Sequence, residues 1–560
     1  MRRDSRRNLR TMSLPDPLQR LVLAFALGVA ALAGIAPAAA RFDPARVAVE
    51  SAAVAARFPD PAVAYDTPGF RAGRDDFTSH QELMAFVSAL QARSGGFSLR
   101  IVGASKEGRA IPLLVFASTK TETPAAMLKS GKPTVLIVAQ QHGNEPAGSE
   151  AALVVAARLA AGDLKPLLDQ INVLIVPRAN PDGADAFVRD TSVNIDMNRD
   201  HLLLRTSEAR AIALVAREYQ PDVVIDAHEF TVMDRWVAKF GGVMSYDALI
   251  QYATVGNLPP ALTTQADTRF RTAILAALDG AGLKPHWYFT TEAGSNDKTV
   301  SMGGVQPDTW RNVGGLRNAV SFLLETRGVG IGRAHFKRRV RTHELTMEAL
   351  LRTTAAAPAE VLTLTRAAAS GVAAAACGGD YVVESDATRT THTLTFVDPV
   401  TAVDKDVEVP WRSALDIRTL RTRPRPCGYF LDRGQRDAAA RLRELGVVVE
   451  RLAAPLTARV ERFRIVKSEQ GRRADGRGAI DDPEGVLRIA VETEALDASL
   501  PAGTYYVSLA QPLANLVAAA LEPDSQNSLA ANRLLPLDQD RVLLRATVPP
   551  PASLQVWEDR

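Results

Sequence analysis

The chain has 560 residues, of which 46% are hydrophobic and 23% charged, and these values are typical of globular proteins. Collagen-like, disordered and coiled-coil classes are excluded for the chain as a whole. Lys and Arg number 66 against 63 Asp and Glu, but residues 1–40 hold six Arg and two Asp. The remainder therefore carries 60 basic and 61 acidic residues, and it has no overall attraction for nucleic acid.

Residues 1–40 have the pattern of an export signal. Several Arg residues precede an apolar run of 16 residues, LVLAFALGVAALAGIA, and small residues follow up to Ala40 as at a cleavage site. The run is shorter than the about 20 residues that a membrane-spanning helix needs. The Arg6-Arg7 pair also resembles a twin-arginine signal, so the export route stays open. We expect a periplasmic or secreted protein with no stable membrane span after signal removal.

Residues 41–75 have weak periodicity and are predicted to be a lead-in segment, and residues 76–377 then alternate between strand and helix patterns. Three β-branched runs, PTVLIVAQQ, INVLIVPR and PDVVIDA, are separated by helical segments at 148–161 and 207–219. Apolar runs without polar residues suit strands buried on both faces of a mostly parallel sheet. We therefore predict an α/β domain with a mostly parallel or mixed central sheet and helices on both faces.

The pattern changes after a helical stretch over about 343–376. Alternating, Thr- and Val-rich runs such as THTLTFVDPV follow, with one helix near 438–445. We predict a separate C-terminal β-rich accessory domain over residues 378–560. Cys377 and Cys427 are the two cysteines, which excludes a disulfide-rich scaffold and leaves a single disulfide open.

Groups that could bind a metal follow the predicted strands. In an open α/β sheet, ligands bind beyond the carboxyl ends of the strands. His142 and Glu145 follow the first run on one turn, and His228 follows the third. A hydrolytic zinc ion takes three N or O ligands and keeps one position for water, so these residues suit a zinc site. The sequence contains no H-E-x-x-H, H-x-x-E-H or G-x-S-x-G motif, which argues against other zinc peptidase patterns and a serine-hydrolase site.

Five segments in this order, HGNEP, NPDG, DMNRD, DAHE and LLETRG, resemble the zinc metallocarboxypeptidases of the carboxypeptidase A type over about residues 76–350. The chain looks like an exported bacterial member of that family. The resemblance implies a zinc carboxypeptidase-like catalytic domain at 76–377 and one Zn²⁺ per chain, with His142, Glu145 and His228 as its ligands. It also implies a peptide substrate with a free C-terminal carboxylate.

The same resemblance implies roles for residues around the metal. Glu325 would be the general base, and Arg189 would stabilise the oxyanion. Asn198 and Arg199 would bind the terminal carboxylate, because a planar guanidinium matches a carboxylate with two parallel hydrogen bonds. Asp196 would hold a ligand histidine in the required tautomer.

One feature of the family is missing from its usual place. A tyrosine normally precedes the catalytic glutamate by some twenty residues, but none occurs between Phe289 and Glu325. Tyr288 is the nearest tyrosine and is expected to bind substrate instead, with Arg311 as another possibility. The pocket for the terminal side chain should lie within about 294–311, where acidic and basic residues both occur, so its specificity stays open.

Other histidines and arginines receive weaker assignments. Arg178 and Arg210 are second choices for the role of Arg189, and His201 is a candidate for lining the cleft. The basic run RAHFKRRVR at 333–341 is expected to be a solvated surface rather than a nucleic-acid site, because the chain without residues 1–40 has no basic excess.

The sequence therefore predicts an exported zinc metallocarboxypeptidase that hydrolyses the C-terminal peptide bond, using a zinc-activated water and a Glu general base. One alternative is a zinc amidase that acts on cell-wall peptides or acylated amino acids, since these also carry carboxylates. A second alternative is an inactive peptidase-like binding protein, against which the intact ligand set argues. No nucleic-acid partner is predicted, and the oligomeric state stays open.

Overall fold

The computed structural model describes residues 42–118, 123–480, 482, 484–537, 541–551 and 553–558. The predicted export signal lies outside the described residues, so its cleavage and the export route stay predictions. The described residues from Phe42 onward belong to one compact unit. None of the helices in this part of the chain combines the length and the apolar character needed to cross a bilayer.

The strands follow one another along the whole described chain. In order they are β1 Ser98–Ala104, β2 Ala110–Phe116, β3 Thr134–Ala139, β4 Asn172–Val176, β5 Val223–Thr231, β6 Val243–Met244, β7 Ala248–Tyr252, β8 Pro285–Trp287, β9 Thr290–Thr291, β10 Val300–Ser301, β11 Val320–Val329, β12 Asp380–Val397, β13 Asp404–Pro424, β14 Gly428–Leu431, β15 Glu450–Leu452, β16 Leu456–Gly471, β17 Ala474–Asp475, β18 Gly478–Ala479, β19 Val486–Leu500, β20 Tyr505–Ser508, β21 Leu543–Ala546 and β22 Leu554–Val556.

Most helices belong to the part before residue 377. The α-helices are α1 Ala52–Ala55, α2 His80–Ser94, α3 Pro124–Lys129, α4 Pro146–Ala161, α5 Pro181–Ala186, α6 Ser207–Tyr219, α7 Arg235–Phe240, α8 Pro260–Gln265, α9 Thr272–Gly280, α10 Trp310–Leu316, α11 Phe336–Ala356, α12 Pro358–Ala374, α13 Arg436–Glu444 and α14 Ala514–Leu521. Short 3₁₀ turns occur at Pro44–Arg46, Pro68–Phe70, Lys165–Asp169 and Met197–Arg199, and a π-helical turn occurs at Ala266–Arg271.

A mixed sheet of eight strands forms the centre of the α/β part, in the order β1-β2-β4-β3-β5-β11-β7-β8. Strands β4, β3, β5 and β11 run parallel, whereas β7 is antiparallel to β11, and β2 is antiparallel to β1 and β4. Along β3, Val135 and Ile137 pack into one core cluster, and Leu136 and Val138 pack into another. The sheet is therefore buried on both faces, as the uninterrupted apolar runs predict.

The predicted helices and strands differ from the structure mainly at their ends. The helix expected over about 343–376 is two helices, α11 and α12, and Pro358 begins the second because proline is favoured in a first helical turn. Strands β5 and β11 extend beyond their apolar runs, so His228 and Glu325 lie within them rather than after them. The two residues face each other in the register of these parallel strands.

The C-terminal part is β-rich, as predicted, and it packs closely on the α/β part. The long hairpin of β12 and β13 joins a sheet in the order β6-β12-β13-β10-β9, whose outer strands come from the α/β part. A second sheet has the order β19-β16-β21-β14-β20-β15-β22. Cys377 and Cys427 form a disulfide at the junction. The division of the chain at residue 377 stays a prediction, since the two parts share one sheet and one core cluster.

Candidate active site

Three side chains, two from the loop after β3 and one from β5, converge near the carboxyl ends of the central strands. Nδ1 of His142 lies 2.9 Å from Oε1 of Glu145, and Nδ1 of His228 lies 2.9 Å from Oε2 of the same carboxylate. The two Nδ1 atoms are themselves 2.9 Å apart. One potential ligand atom from each side chain lies within 4.8 Å of the other two, and all three residues are buried. The structure thus brings together the three predicted ligands.

The outward nitrogens of both histidines contact aspartates. Nε2 of His142 is 3.1 Å from Oδ1 of Asp196, and Nε2 of His228 is 2.7 Å from Oδ1 of Asp226. An ionised carboxylate only accepts hydrogen bonds, so we assign the proton of each ring to Nε2, which leaves an unprotonated Nδ1 on both histidines. A cation bound by both Nδ1 atoms would satisfy them, and two nitrogens with one carboxylate oxygen form a donor set that zinc accepts with a position left open. The residues present therefore fit a zinc ion.

The loop after β3 can bring His142 to this place because two glycines lie against each other. A Cβ atom on Gly143 would lie 1.8 Å from the carbonyl carbon of Gly183 in α5, so no side chain fits there. Glu145 follows on the same loop, immediately before α4, and its Oε2 accepts a hydrogen bond of 3.0 Å from the backbone N of Glu229. A backbone hydrogen bond therefore fixes this carboxylate, in addition to its contacts with the two histidines.

Arg189 lies directly against the predicted ligands. Its Nη1 is 3.2 Å from Nδ1 of His142 and donates to Oε1 of Glu145 at 3.3 Å. Its Nε and Nη2 donate to Oδ2 of Asp196 at 3.1 and 2.9 Å. Burial raises the pKa of Asp196, but Arg189, His142 and Arg199 together outweigh burial and hold that pKa well below its usual range. Asp196 therefore stays ionised while it bridges Arg189 and His142.

Glu325 and Tyr288 line the same cleft, which encloses about 170 Å³. Burial, reinforced by the negative charge of Glu145, raises the pKa of Glu325 to about 7. A carboxyl group with such a pKa can both accept and return a proton near neutral pH. Burial and the charge of Glu325 raise the pKa of Tyr288 to about 12, so its hydroxyl stays a hydrogen-bond donor.

The two residues predicted to bind the substrate carboxylate have other partners in the structure. The side-chain amide of Asn198 donates to Oδ2 of Asp226 at 3.3 Å, and its oxygen accepts from the backbone N of Trp310 at 2.7 Å. Nη1 of Arg199 donates to the carbonyl oxygen of Asn198 at 2.6 Å, and its Nη2 forms an ion pair with Asp475. Both residues line the cleft, but Arg199 shares its charge with a residue of the C-terminal part.

Several weaker predictions are located elsewhere. Arg178 is buried and donates hydrogen bonds to the side chain of Gln140 and the backbone oxygen of Thr78. Arg210 pairs with Glu444, so neither arginine lies at the site. His201 is buried and its Nε2 is 2.6 Å from the side-chain oxygen of Gln141, outside the cleft lining.

The segment expected to form the side-chain pocket divides in two. Asp297 and Lys298 are exposed, whereas Asp308 and Arg311 are buried and line the cleft.

The expectation of a solvated surface at 333–341 is wrong in part. Arg339 in this run is 1% exposed and its guanidinium contacts Glu229, next to His228, at 2.6–2.7 Å.

Three contributors to the site have no assigned role in the sequence analysis: Asp226, Asp475 and Arg477. A signal for Asp226 exists, because it precedes His228 by two positions and side chains two apart lie on one face of a strand. Asp475 and Arg477 carry no such signal. They come from a short hairpin in the C-terminal part, Asp475 at the end of β17 and Arg477 in the turn that follows, and only the folded chain brings them to the cleft.

Comparison with known proteins indicates the same class of protein as the residues of the site do. A family model of zinc carboxypeptidases matches residues 83–330. Carboxypeptidase 2 of Trichophyton rubrum is 28% identical over 479 residues, which cover 84% of this chain and 86% of that protein. The probable carboxypeptidase 2 of Trichophyton verrucosum (strain HKI 0517) is 29% identical over 430 residues, 75% of this chain and 79% of that protein. A solved metallo-carboxypeptidase from Burkholderia cenocepacia shares 19% identity over 49% of this chain and 68% of that chain, with a TM-score of 0.37.

Through residues 83–330 the chain belongs to the zinc carboxypeptidase family. It is a metallocarboxypeptidase by this membership, and its cofactor is Zn²⁺. The two curated relatives named are fungal and the solved structure is bacterial, so the bacterial source stays a prediction.

Proposed function

We propose that the chain is an exported metallocarboxypeptidase that hydrolyses the C-terminal peptide bond of peptides, with His142, Glu145 and His228 holding one zinc ion. The observation that carries this proposal is the convergence of the three donor groups within 4.8 Å. Asp196 and Asp226 would keep the two imidazoles in the tautomer that directs Nδ1 at the metal. When bound, zinc polarises the scissile carbonyl and lowers the pKa of a water molecule to about 7.

Glu325 would act as the general base and then as the general acid. Its carboxylate would accept a proton from the attacking water and later deliver that proton to the leaving amine. The raised pKa of Glu325, about 7, supports both transfers because neither protonation state is strongly favoured near neutral pH. Its register position opposite His228 supports the same role, since it puts the base beside a proposed metal ligand.

Positive and neutral donors on the other walls would hold the substrate. Arg189 contacts the carboxylate of Glu145 and would stabilise the negative charge that develops on the carbonyl oxygen. Asn198 and Arg199 would bind the terminal carboxylate, and Tyr288 would donate a hydrogen bond to the peptide. Two curated relatives are named carboxypeptidase 2 and probable carboxypeptidase 2, which supports removal of a C-terminal residue.

Two features support export. The N-terminal 40 residues have the composition of a signal peptide. The Cys377–Cys427 disulfide suits an oxidising compartment such as the periplasm or the exterior of the cell.

The test uses the purified full-length protein, its metal content and a peptide library with mixed C-terminal residues. We expect about one zinc per chain and trimming from the C-terminus, and Glu325→Gln should lower kcat by about 10²–10⁴-fold while zinc stays bound. Glu360→Gln, which changes an exposed glutamate with a 74% exposed side chain, is the matched control and should keep full activity. Zinc without trimming would favour the amidase alternative, and a chain that binds no zinc would contradict the mechanism.

A further inference from the structure

A short hairpin of the C-terminal part reaches the cleft. Strands β17 and β18 pair across the turn Gly476-Arg477. The turn lies close to β9 and β10, because a Cβ atom on Gly476 would be 3.1 Å from Cβ of Ser301 and 3.4 Å from Cγ2 of Thr290. The carbonyl oxygen of Arg477 also accepts a backbone hydrogen bond of 3.4 Å from Ala293. The hairpin is thus held against the α/β part at the edge of the cleft.

The hairpin brings one carboxylate and one guanidinium to the cleft. Oδ2 of Asp475 forms an ion pair with Arg199 and also accepts from Nε and Nη2 of Arg477 at 3.3 and 3.2 Å. Nη2 of Arg477 donates in addition to Oδ2 of Asp196 at 3.1 Å, beside the metal site. A single carboxylate therefore bridges two guanidinium groups, one from each part of the molecule.

Arg199 and Arg477 together outnumber the carboxylate between them. They contribute two positive charges and Asp475 one negative charge, while the neighbouring Asp196 is paired with Arg189, whose other partner, Glu145, belongs to the proposed zinc site. Burial raises the pKa of Asp475, but the charges of Arg199 and Arg477 outweigh burial and lower it, so the carboxylate is ionised. Among the described residues, none accepts a hydrogen bond from Nη1 of Arg477. The group has the charge and the donor to take one further carboxylate.

We propose that Arg477 binds the terminal carboxylate of the substrate together with Arg199, and that Asp475 holds the two guanidinium groups side by side. This inference rests on the proposed carboxypeptidase function and extends it. The C-terminal part then supplies a specificity-determining residue instead of serving only as an accessory domain. A peptide with a C-terminal amide lacks the negative charge that Arg199 and Arg477 would share, so it should bind much more weakly.

The test measures binding rather than turnover. The zinc-loaded full-length protein is titrated by calorimetry with a panel of N-acetyl amino acids and with the corresponding amides. We expect the wild type to prefer the carboxylates, and Arg477→Gln to weaken their binding about tenfold to a hundredfold, as for a lost charge-assisted hydrogen bond. Arg477→Lys should give an intermediate loss, because lysine keeps the charge without the planar fork. Amide binding and zinc content should not change.

Arg472→Gln is the matched control, because Arg472 lies in the same segment and is exposed. It should bind both probe series as the wild type does. Wild-type binding that does not distinguish carboxylates from amides would overturn the inference, as would an Arg477→Gln variant that weakens both series equally. If the wild type cleaves no peptide but binds carboxylates through Arg477, the proposed hydrolysis fails and the shared carboxylate site stands.

Discussion

The two sides of the cleft are built in different ways. The metal side comes from residues within about 90 positions of one another, and each proposed histidine ligand has its own aspartate on the outward nitrogen. The carboxylate side depends on Asp475, which pairs with Arg199 across 276 positions of sequence. The metal site is thus complete within the α/β part, whereas the group proposed to bind the substrate carboxylate needs the C-terminal part as well.

The comparison implies that a change on the metal side acts first on zinc binding. A change at the hairpin, which reaches the metal ligands only through Asp196, acts first on substrate binding. Zinc affinity and carboxylate binding are therefore the two quantities to measure for every variant. A hairpin variant that lowers zinc affinity as much as carboxylate binding would contradict this distinction between the two sides.

The largest effect is expected for Gly143→Ala. Its Cβ atom would overlap the backbone of Gly183 at 1.8 Å, so the loop that carries His142 must move. Zinc affinity should fall by more than about 100-fold. Losing a residue that hydrogen-bonds a metal ligand costs up to about 100-fold, and here the ligand itself is displaced. Equilibrium dialysis against a competing chelator gives this affinity. Gly280→Ala is the control, since a Cβ atom there meets nothing within 4 Å, and equal zinc affinity in both variants would contradict the prediction.

An intermediate effect is expected for Asp226→Asn. The variant loses the charged acceptor on Nε2 of His228, so the imidazole becomes a weaker donor to the metal. Zinc affinity should fall about 10–100-fold. The same dialysis measures the loss, with Asp497→Asn on the exposed surface of β19 as the control, because the Asp497 side chain is 72% exposed. Unchanged zinc affinity would show that Asp226 does not tune His228.

The smallest effect is expected for Gly476→Ala at the tip of the hairpin. The added methyl group would lie 3.1 Å from Cβ of Ser301, so the turn must shift by a few tenths of an ångström. Binding of N-acetyl amino acids should weaken by about threefold to tenfold, the effect of a mild overpacking, while zinc affinity stays unchanged. Calorimetry measures the binding of the N-acetyl amino acids. Gly371→Ala in α12 is the control, because a Cβ atom there meets nothing within 4 Å. A loss of zinc in Gly476→Ala would contradict the separation of the two sides.

Much of the α/β fold follows from local patterns. Helix α6 spans Ser207–Tyr219 as the spacing of apolar residues predicts, and β3 and β4 coincide with their β-branched runs. Such segments can be predicted because the periodicity of hydrophobic residues is a property of consecutive positions in the sequence. The metal ligands could be predicted for a related reason, because short motifs after adjacent parallel strands meet at one edge of the sheet.

What escaped prediction depends on contacts between distant segments. Arg339 was expected on the surface, but it is buried on Glu229, and no local pattern indicates which carboxylate an arginine will meet. The Cys377–Cys427 pair stayed open for the same reason, since its partners are 50 positions apart. Asp475 and Arg477 lie in a short hairpin without a motif, so composition gives no reason to connect them with Arg199.

The measurement that tests the central claim most directly is a crystal structure of zinc-loaded Glu325→Gln with a bound N-acetyl amino acid, using anomalous scattering to locate the metal. We predict one zinc ion on His142, Glu145 and His228, and the ligand carboxylate between Arg199 and Arg477. A zinc ion on other residues, or a carboxylate remote from Arg477, would contradict the account of a metal side and a carboxylate side joined by the C-terminal hairpin.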